Sequence, residues 1–291
     1  MSLFESSAQD SSVVPSSGIL KTPMPTNAPL VFRDSNLSRA WARMFLAMVR
    51  SPRVNGPPAM ITLDIASPEG PAEDGFLRTT LEHYLRKSGK VSIEDNAAMI
   101  FPYRPWLHLG KPACKDLYAF YWRMDERASN RTTRNQYGTY FGRMIEYTGI
   151  KKGEAVTINQ IDHILRRWNH RKAQSSRPRA SELQLACFDP AKDHSGQALR
   201  GFPCLQQVSL TYEGDKLALS AFYPTQYILH RGYGNYLGLC RLGLFFAHEM
   251  GLTLGRVDCF VGSPRLGDKV RKQDLGDLRN AAESVVTGSA T

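Results

Sequence analysis

Apolar residues recur along the chain with two different spacings, which separate the predicted helices from the predicted strands. Repeats of three and four residues are typical of one helix face, whereas alternation is typical of a strand with one buried face. The first pattern predicts helices over Leu37–Val49, Gly75–Arg86, Asp116–Asp125 and Thr157–Asn169, the last with Thr157 as its N-cap. The second predicts strands over Met60–Ile65, Leu183–Phe188, Leu205–Tyr212, Lys216–Tyr223 and Val257–Val261.

The strands cluster late in the chain, without a regular alternation of strand and helix, and this favours an α+β fold. The short connection Glu213–Asp215 predicts a hairpin between two of the strands. A long apolar helix is expected from Asn235 to Met250, ended by Gly251 as its C-cap. Residues 93–102 show neither pattern clearly, and we interpret them as a turn that passes into a strand.

Composition divides the chain into one central domain and two tails. Residues 1–27 are rich in Ser and Pro and poor in large apolar residues, which predicts a disordered tail. They contain no basic segment followed by an apolar block, so no secretory signal is expected. Residues 271–291 are charged and then small and polar, which predicts a flexible tail. Residues 28–270 are therefore predicted to form a single domain.

Charge and cysteine usage limit the classes of function. The formal net charge of +10 favours anionic partners such as nucleotides, although each basic run is also compatible with a solvated helix face. No helix-turn-helix signature or aromatic-basic RNA motif accompanies that charge, which counts against a plain nucleic-acid binder. The five cysteines show neither paired nor metal-ligand spacing, so we expect a cytoplasmic protein without a metal site.

Cys204 is the first candidate for chemistry. Taken alone, a free cysteine at the start of a strand is more often a small buried apolar residue than a nucleophile. A reactive cysteine needs cationic or hydrogen-bonding neighbours that stabilise its thiolate. The surrounding sequence motifs therefore decide between these two interpretations.

An ordered series of motifs follows Cys204. Pro203-Cys204 lies at the start of a predicted strand, which a hairpin connects to a second strand. A loop then leads to Asn235 at the start of the long helix. That helix ends in Gly-Leu-Thr-Leu-Gly over residues 251–255. This series resembles the catalytic half of the thymidylate synthase family. Upstream, Tyr137-Gly138 resembles the family's Tyr-Gly element, and Ser176-Arg177-Pro178-Arg179 resembles its Ser-Arg-Arg pair with a proline inserted. The resemblance covers residues 35–268 and is tightest in the last third.

The resemblance implies a layered mixed sheet, a long buried helix and a homodimer that forms through the sheet face. It also implies that the Cys204 thiolate adds to C6 of a pyrimidine nucleotide, so that C5 can accept a one-carbon unit from a folate. Arg177 and Arg179 would cross from the partner subunit to the 5′-phosphate. Asn235 would read the amide edge of the base, and Tyr137 would line the nucleotide site.

Departures from the family pattern surround these residues. Pro224-Thr225 stands where the family has a phosphate-binding Arg-Ser pair, so that Thr225 is the remaining nucleotide-binding candidate there. Tyr227 replaces the Asp that contacts the folate pterin, which weakens the implied cofactor, 5,10-methylenetetrahydrofolate. The segment 263–267 lacks the residues that bind the sugar hydroxyl. Glu82 and Glu94 match the family's catalytic Glu only by region.

The altered loop before Asn235 supplies further candidates. Arg231 and Arg265 are candidates for the lost phosphate arginine, and the alternative for each is an ordinary surface arginine. His230 is the candidate proton-transfer residue.

Two hypotheses follow from this pattern. The first is a divergent enzyme that methylates or hydroxymethylates C5 of a pyrimidine nucleotide or related heterocycle. The second is a non-catalytic protein of the same fold that binds a nucleotide, nucleic acid or protein.

Overall fold

The computed structural model describes residues 28–51, 55–129, 138–194 and 203–288. Its strands are β1 (Leu30–Asp34), β2 (Ala59–Asp64), β3 (Tyr147–Lys151), β4 (Glu154–Ile158), β5 (Gln184–Ala186), β6 (Gln207–Glu213), β7 (Lys216–Tyr227) and β8 (Thr253–Arg265). Its helices are α1 (Leu37–Arg50), α2 (Gly75–Lys87), α3 (Ile93–Ala98), α4 (Tyr103–His108), α5 (Cys114–Ser129), α6 (Tyr140–Ile145), α7 (Gln160–Ala173), α8 (Pro190–Asp193), α9 (Tyr233–Met250) and α10 (Gly276–Thr287).

A mixed six-stranded sheet is the centre of the fold, with the order β1-β2-β8-β7-β6-β5. β1 pairs with β2 and β7 with β8 in parallel, and the other neighbours are antiparallel. β6 and β7 form the predicted hairpin, in which Glu213 pairs with Lys216 and Gly214 adopts a φ of 58°. The predicted α+β class is therefore confirmed.

The helix α9 lies in the middle of the core and is buried along almost its whole length. It begins two residues before Asn235 and ends where predicted, at Gly251, whose φ of 66° is the left-handed conformation typical of a C-cap. Because both faces of α9 are covered, its sequence shows little amphipathic pattern. This burial anchors the start of α9 and the residues around it.

Two glycines of α9 allow α3 to pack unusually close. A Cβ atom at Gly234 would lie 2.5 Å from the Cβ atom of Asn96, and one at Gly238 would lie 2.8 Å from the carbonyl oxygen of Ala97. These positions are four residues apart and share one helix face. The contact brings a polar residue of α3 up to the beginning of α9.

Two local predictions within the central domain differ from the structure. Residues 93–98 form α3 rather than a turn and strand, because the Ser92 side chain caps the helix by accepting from the N–H of Asp95 at 3.0 Å. Thr157 is not an N-cap, since it lies in β4 opposite Thr148 of β3. The cap of α7 is Asn159, whose side chain accepts from the N–H of Asp162 at 2.9 Å.

The end of the chain adds a helix where the sequence predicts a flexible tail. α10 buries Leu278, Ala281 and Ala282, and its apolar face packs against α1 and α2. Just before it, Lys272 Nζ donates to the carbonyl oxygens of Val49 and Ser51, each at 2.7 Å. Residues 1–27 lie outside the described residues, and the limits of the single domain stay a prediction.

Candidate active site around Cys204

Cys204 is a half-buried residue in the short segment that leads into β6. The preceding Pro203 is buried, and the N–H of Gln206 donates to the carbonyl oxygen of Phe222 at 3.0 Å, which fixes this segment beside β7. The thiol is therefore placed by the sheet rather than by a free loop.

Two tyrosines that the sequence did not single out lie next to this thiol. Tyr140, in the first turn of α6, receives a hydrogen bond from the backbone N–H of Leu205, the residue after Cys204. Tyr223 of β7 is fully buried, and its hydroxyl has no hydrogen-bond partner among the described residues. Burial raises the pKa of both phenols, so both are neutral at pH 7.

A π-helical turn, Ile228–Gly232, brings the predicted residues His230 and Arg231 to the site. Its first carbonyl oxygen, that of Ile228, accepts from Trp41 Nε1 of α1 at 2.9 Å, which ties the turn to the core. Burial raises the pKa of the Cys204 thiol, and the Arg231 charge acts in the opposite direction without cancelling that effect. The thiol is therefore mostly protonated near pH 7, and Arg231 is the cation that favours its thiolate.

Asn96 of α3 holds this turn in place. Its side chain is 2% exposed, and its Nδ2 donates to the carbonyl oxygen of His230 at 3.2 Å. Its Oδ1 accepts a hydrogen bond from Arg231 Nη1. One amide therefore fixes both the backbone and the guanidinium of the turn.

The imidazole of His230 is neutral at pH 7. Burial lowers its pKa to about 4, with help from the nearby charges of Lys90 and Arg231 and against the charge of Asp268. A Cβ atom at Gly267 would come within 2.7 Å of His230 Cε1, so the segment after β8 packs directly against the ring. A buried neutral imidazole of this kind can accept a hydrogen bond but is a weak base.

Asn235 is 6% exposed and lies four residues beyond Arg231, in the first turn of α9. Its side-chain amide makes no hydrogen bond to any described residue, and its nitrogen and oxygen are not fully shielded from solvent. The amide N–H donor and the amide oxygen acceptor of Asn235 thus lie side by side, about one helical turn from Arg231.

Arg177 does not approach Cys204 of its own chain. Its guanidinium lies over the rings of Trp168 and Tyr212, with its Cζ 5.4 Å and 5.2 Å from their centroids, and donates to the carbonyl oxygen of Gly214. Gly214 follows the far end of β6, a strand of seven residues, which at about 3.3 Å per residue spans roughly 20 Å.

The other predicted nucleotide contacts are placed as follows. Arg179 is exposed and lies near the same end of β6 as Arg177, where its backbone N–H donates to Glu182 Oε1 at 3.1 Å. The Thr225 hydroxyl donates to the carbonyl oxygen of Ser263 at 3.0 Å, within the sheet. Tyr137 lies outside the described residues. The nucleotide-binding roles of these residues stay predictions.

Both candidate glutamates are held by partners within the chain. Glu82 Oε2 accepts from the backbone N–H of Ile93 at the start of α3, at 3.0 Å. Glu94 pairs with Arg78, with Arg241 at 2.8 Å and with Arg104 at 3.3 Å. Burial alone would raise the pKa of Glu94, but the hydrogen bond from Arg241 and the arginine charges outweigh it and hold that pKa below its ordinary value. Glu94 is thus an ionised member of an ion-pair cluster.

The described residues contain no group of three or more His, Cys, Asp or Glu side chains arranged to hold a metal ion. Within the same part of the chain, no helix is both long and apolar enough to cross a membrane. All five cysteines are free thiols.

These elements define an α+β protein in which a half-buried thiol lies near an arginine of the π-helical turn that precedes the central helix. No protein-family model and no curated protein matches the chain. Among solved structures, the chain is similar to the thermostable thymidylate synthase A from Bacillus subtilis, with 12% identity and a TM-score of 0.47. That match covers 84% of this chain and 84% of the other.

Proposed function

We propose that the protein is a divergent thymidylate synthase-like enzyme, in which Cys204 adds to a pyrimidine-type ring and activates it for one-carbon transfer. The observation that carries this proposal is the side-chain amide of Asn235, which pairs with no described residue and lies in the first turn of α9, four residues after Arg231. A pyrimidine presents a carbonyl oxygen beside a ring nitrogen, and one amide side chain can pair with both. Binding would then give both groups of this amide a hydrogen-bond partner.

The chemistry of the ring follows from the thiol. The Cys204 sulfur forms a bond to C6 while the C5–C6 double bond opens, and its electron pair passes to C5 and the adjacent carbonyl oxygen. The thiol proton leaves to solvent, since His230, with a pKa of about 4, is too weak a base to accept it. C5 can then bind a proton or a one-carbon electrophile. Loss of the original C5 hydrogen and expulsion of the thiolate restore the double bond. Methylation and hydroxymethylation share this activation.

The residues at the folate position do not fit that cofactor well. Tyr227 stands where the family's pterin-binding carboxylate is expected, and its side chain is 37% exposed. A phenol hydroxyl cannot supply the paired acceptor oxygens of a carboxylate. We therefore derive no step through methylenetetrahydrofolate, and its use stays a prediction.

Anion binding would combine arginines from both subunits. Within one chain, Arg231 lies at the thiol, and Arg265 has a buried Nε without a hydrogen-bond partner among the described residues. Arg177 and Arg179 lie near the far end of β6 in their own chain, so they can serve a Cys204 site only from a partner subunit. The proposal therefore includes a homodimer.

The outer face of the sheet is the surface that suits this dimer. Phe222 and Phe260 stack there, with centroids 5.7 Å apart, and are 37% and 40% exposed. Beside them, a groove of about 450 Å³ is lined by residues of β1, β2, β7 and β8. Arg256 pairs with Asp258 at 2.8 Å on this face. The face therefore carries both positive and negative charge next to apolar rings. Such a surface can be complementary to a second copy of itself.

A second candidate function, ligand binding without catalysis, is favoured by two observations. The pKa of the Cys204 thiol is raised rather than lowered, whereas reactive cysteines usually have lowered values. Glu94 is also held by three arginines, which leaves no described glutamate free near the thiol for proton transfer. A partner subunit's arginines would have to lower the pKa of this thiol for catalysis.

Exchange of the C5 hydrogen for deuterium tests ring addition without knowledge of the one-carbon donor. Uridine and cytidine nucleotides, in ribose and deoxyribose forms, are incubated with the protein in deuterium oxide and followed by proton NMR. We expect exchange with at least one nucleotide, its loss in Cys204→Ser, and its retention in Cys114→Ser, which removes another half-buried thiol. Nucleotide binding without exchange would reject the enzyme and favour the non-catalytic alternative.

A further inference from the structure

Asn96 makes contacts that the sequence motifs do not explain. Its Nδ2 donates to the carbonyl oxygens of Val91 and His230, at 3.4 Å and 3.2 Å, and its Oδ1 accepts from Arg231. A side chain that is 2% exposed therefore links its own helix to two consecutive residues of the turn beside Cys204.

The backbone geometry supports this link independently. A Cβ atom at Gly234 would lie 2.5 Å from the Asn96 Cβ and 2.8 Å from the carbonyl oxygen of Ile93. Only glycine allows α9 to approach α3 so closely without a shift, and Asn96 reaches Arg231 across this contact. The position of Asn96 is thus determined by packing as well as by hydrogen bonds.

We propose that Asn96 is a positioning residue that holds the Arg231 guanidinium beside Cys204 and thereby sets the reactivity of that thiol. This role rests on the proposed function, in which Cys204 is the nucleophile. A neutral amide can orient a guanidinium while leaving its full positive charge to act on the sulfur, whereas a carboxylate in the same place would neutralise much of that charge.

The charged and titratable groups around Cys204 determine how a change of charge at residue 96 would affect the pKa of the thiol. Among the described residues, the titratable groups that face Cys204 include Arg231, from the π-helical turn, Tyr223, from β7, and Tyr140, from α6. Lys90 and Asp268 face His230 on the other side of the turn. The two phenols are neutral, so the Arg231 charge is the electrostatic contribution that Asn96 can control.

The test is the pH dependence of iodoacetamide alkylation at Cys204, measured on the intact protein by peptide mass spectrometry. The Asn96→Asp variant keeps the shape of the side chain, and we expect its alkylation profile to move to higher pH by about one unit, or about tenfold slower alkylation at pH 7.5. Asn36→Asp is the matched control, since it makes the same change at the N-cap of α1 and should leave the profile unchanged.

A double-mutant cycle separates positioning from general loosening of the structure. Asn96→Ser should slow alkylation in the wild-type background but have no further effect in Arg231→Met, because both act through one guanidinium. An unchanged profile in Asn96→Asp, or equal effects of Asn96→Ser in both backgrounds, would overturn the proposal.

The outcome is distinguishable from that of the exchange experiment. If wild-type protein exchanges C5 hydrogen while Asn96→Asp alkylates normally, the role of Asn96 is rejected and the enzyme stands. If no nucleotide exchanges but the cycle shows coupling through Arg231, the role of Asn96 in setting thiol reactivity is supported without the enzyme.

Discussion

The close contact between α3 and α9 makes a quantitative prediction for Gly234→Ala. The added Cβ atom would lie 2.5 Å from the Asn96 Cβ, whereas carbon atoms in contact are separated by about 3.5–4.0 Å. One helix must therefore move by about 1 Å, and the carbonyl oxygen of Ile93, 2.8 Å away, blocks the nearest alternative direction. Overpacking of this kind costs about 1–3 kcal/mol.

Helix propensity partly offsets this cost, because alanine is favoured over glycine in a helix by about 1 kcal/mol. With the middle of that range, about 2 kcal/mol, less about 1 kcal/mol for helix propensity, we expect a net loss of about 1 kcal/mol in the free energy of unfolding. The measurement is urea denaturation followed by tryptophan fluorescence, with the slope m unchanged and the midpoint lowered.

Gly276→Ala is the matched control for this prediction. Gly276 is the first residue of α10 and has helical φ and ψ, and a Cβ atom added there would meet no described atom within 4 Å. Its substitution should be neutral or stabilising by up to about 1 kcal/mol. A Gly234→Ala protein as stable as wild type would refute the close-packing argument, and so would an equal loss in Gly276→Ala.

Two further predictions concern pH and assembly. The pKa of His230 is about 4 in the fold and 6.5 in the unfolded chain, so the unfolded chain binds more protons between these values and stability falls as pH drops through them. From pH 7.5 to 5 the free energy of unfolding of the wild type should fall by about 2 kcal/mol. Urea titrations of His230→Gln should show a smaller fall, and equal falls in both proteins would exclude His230 as the cause. Phe260→Glu should convert a dimer into a monomer by light scattering, whereas Ile150→Glu, at a residue that is 75% exposed on β3, should not. A monomeric wild type would remove the basis for sharing Arg177 between subunits.

Long apolar patterns predicted most of the fold correctly. The helices α1, α2 and α9 and the β6–β7 hairpin follow from residues that face the core at regular spacing, or from a glycine whose conformation few other residues adopt. The prediction of Thr157 as an N-cap was wrong because threonine is common both at N-caps and in strands. Here a short hairpin, β3–β4, directly precedes the helix. α3 was missed because six residues are too few for a helical period to be recognised.

The candidate site was only partly predictable. Motif order singled out Cys204, His230, Arg231 and Asn235 as candidates, and their roles stay predictions. Asn96 and Tyr140 could not be found in this way, because their contacts with residues 204–231 depend on how α3 and α6 pack against the sheet. The ion pairs between Glu94 and the surrounding arginines could not be predicted from the sequence either.

The strand order has a consequence for biosynthesis. β2 pairs along its whole length with β8, so that Ile61 lies opposite Cys259, almost two hundred residues later in the chain. During translation, β1 and β2 are therefore synthesised long before their neighbour β8. Until β8 is made, their apolar faces stay exposed or are covered by chaperones. Since such distant pairings slow folding, the sheet can close only after β8 has been synthesised, and the polypeptide is most prone to aggregation before that point.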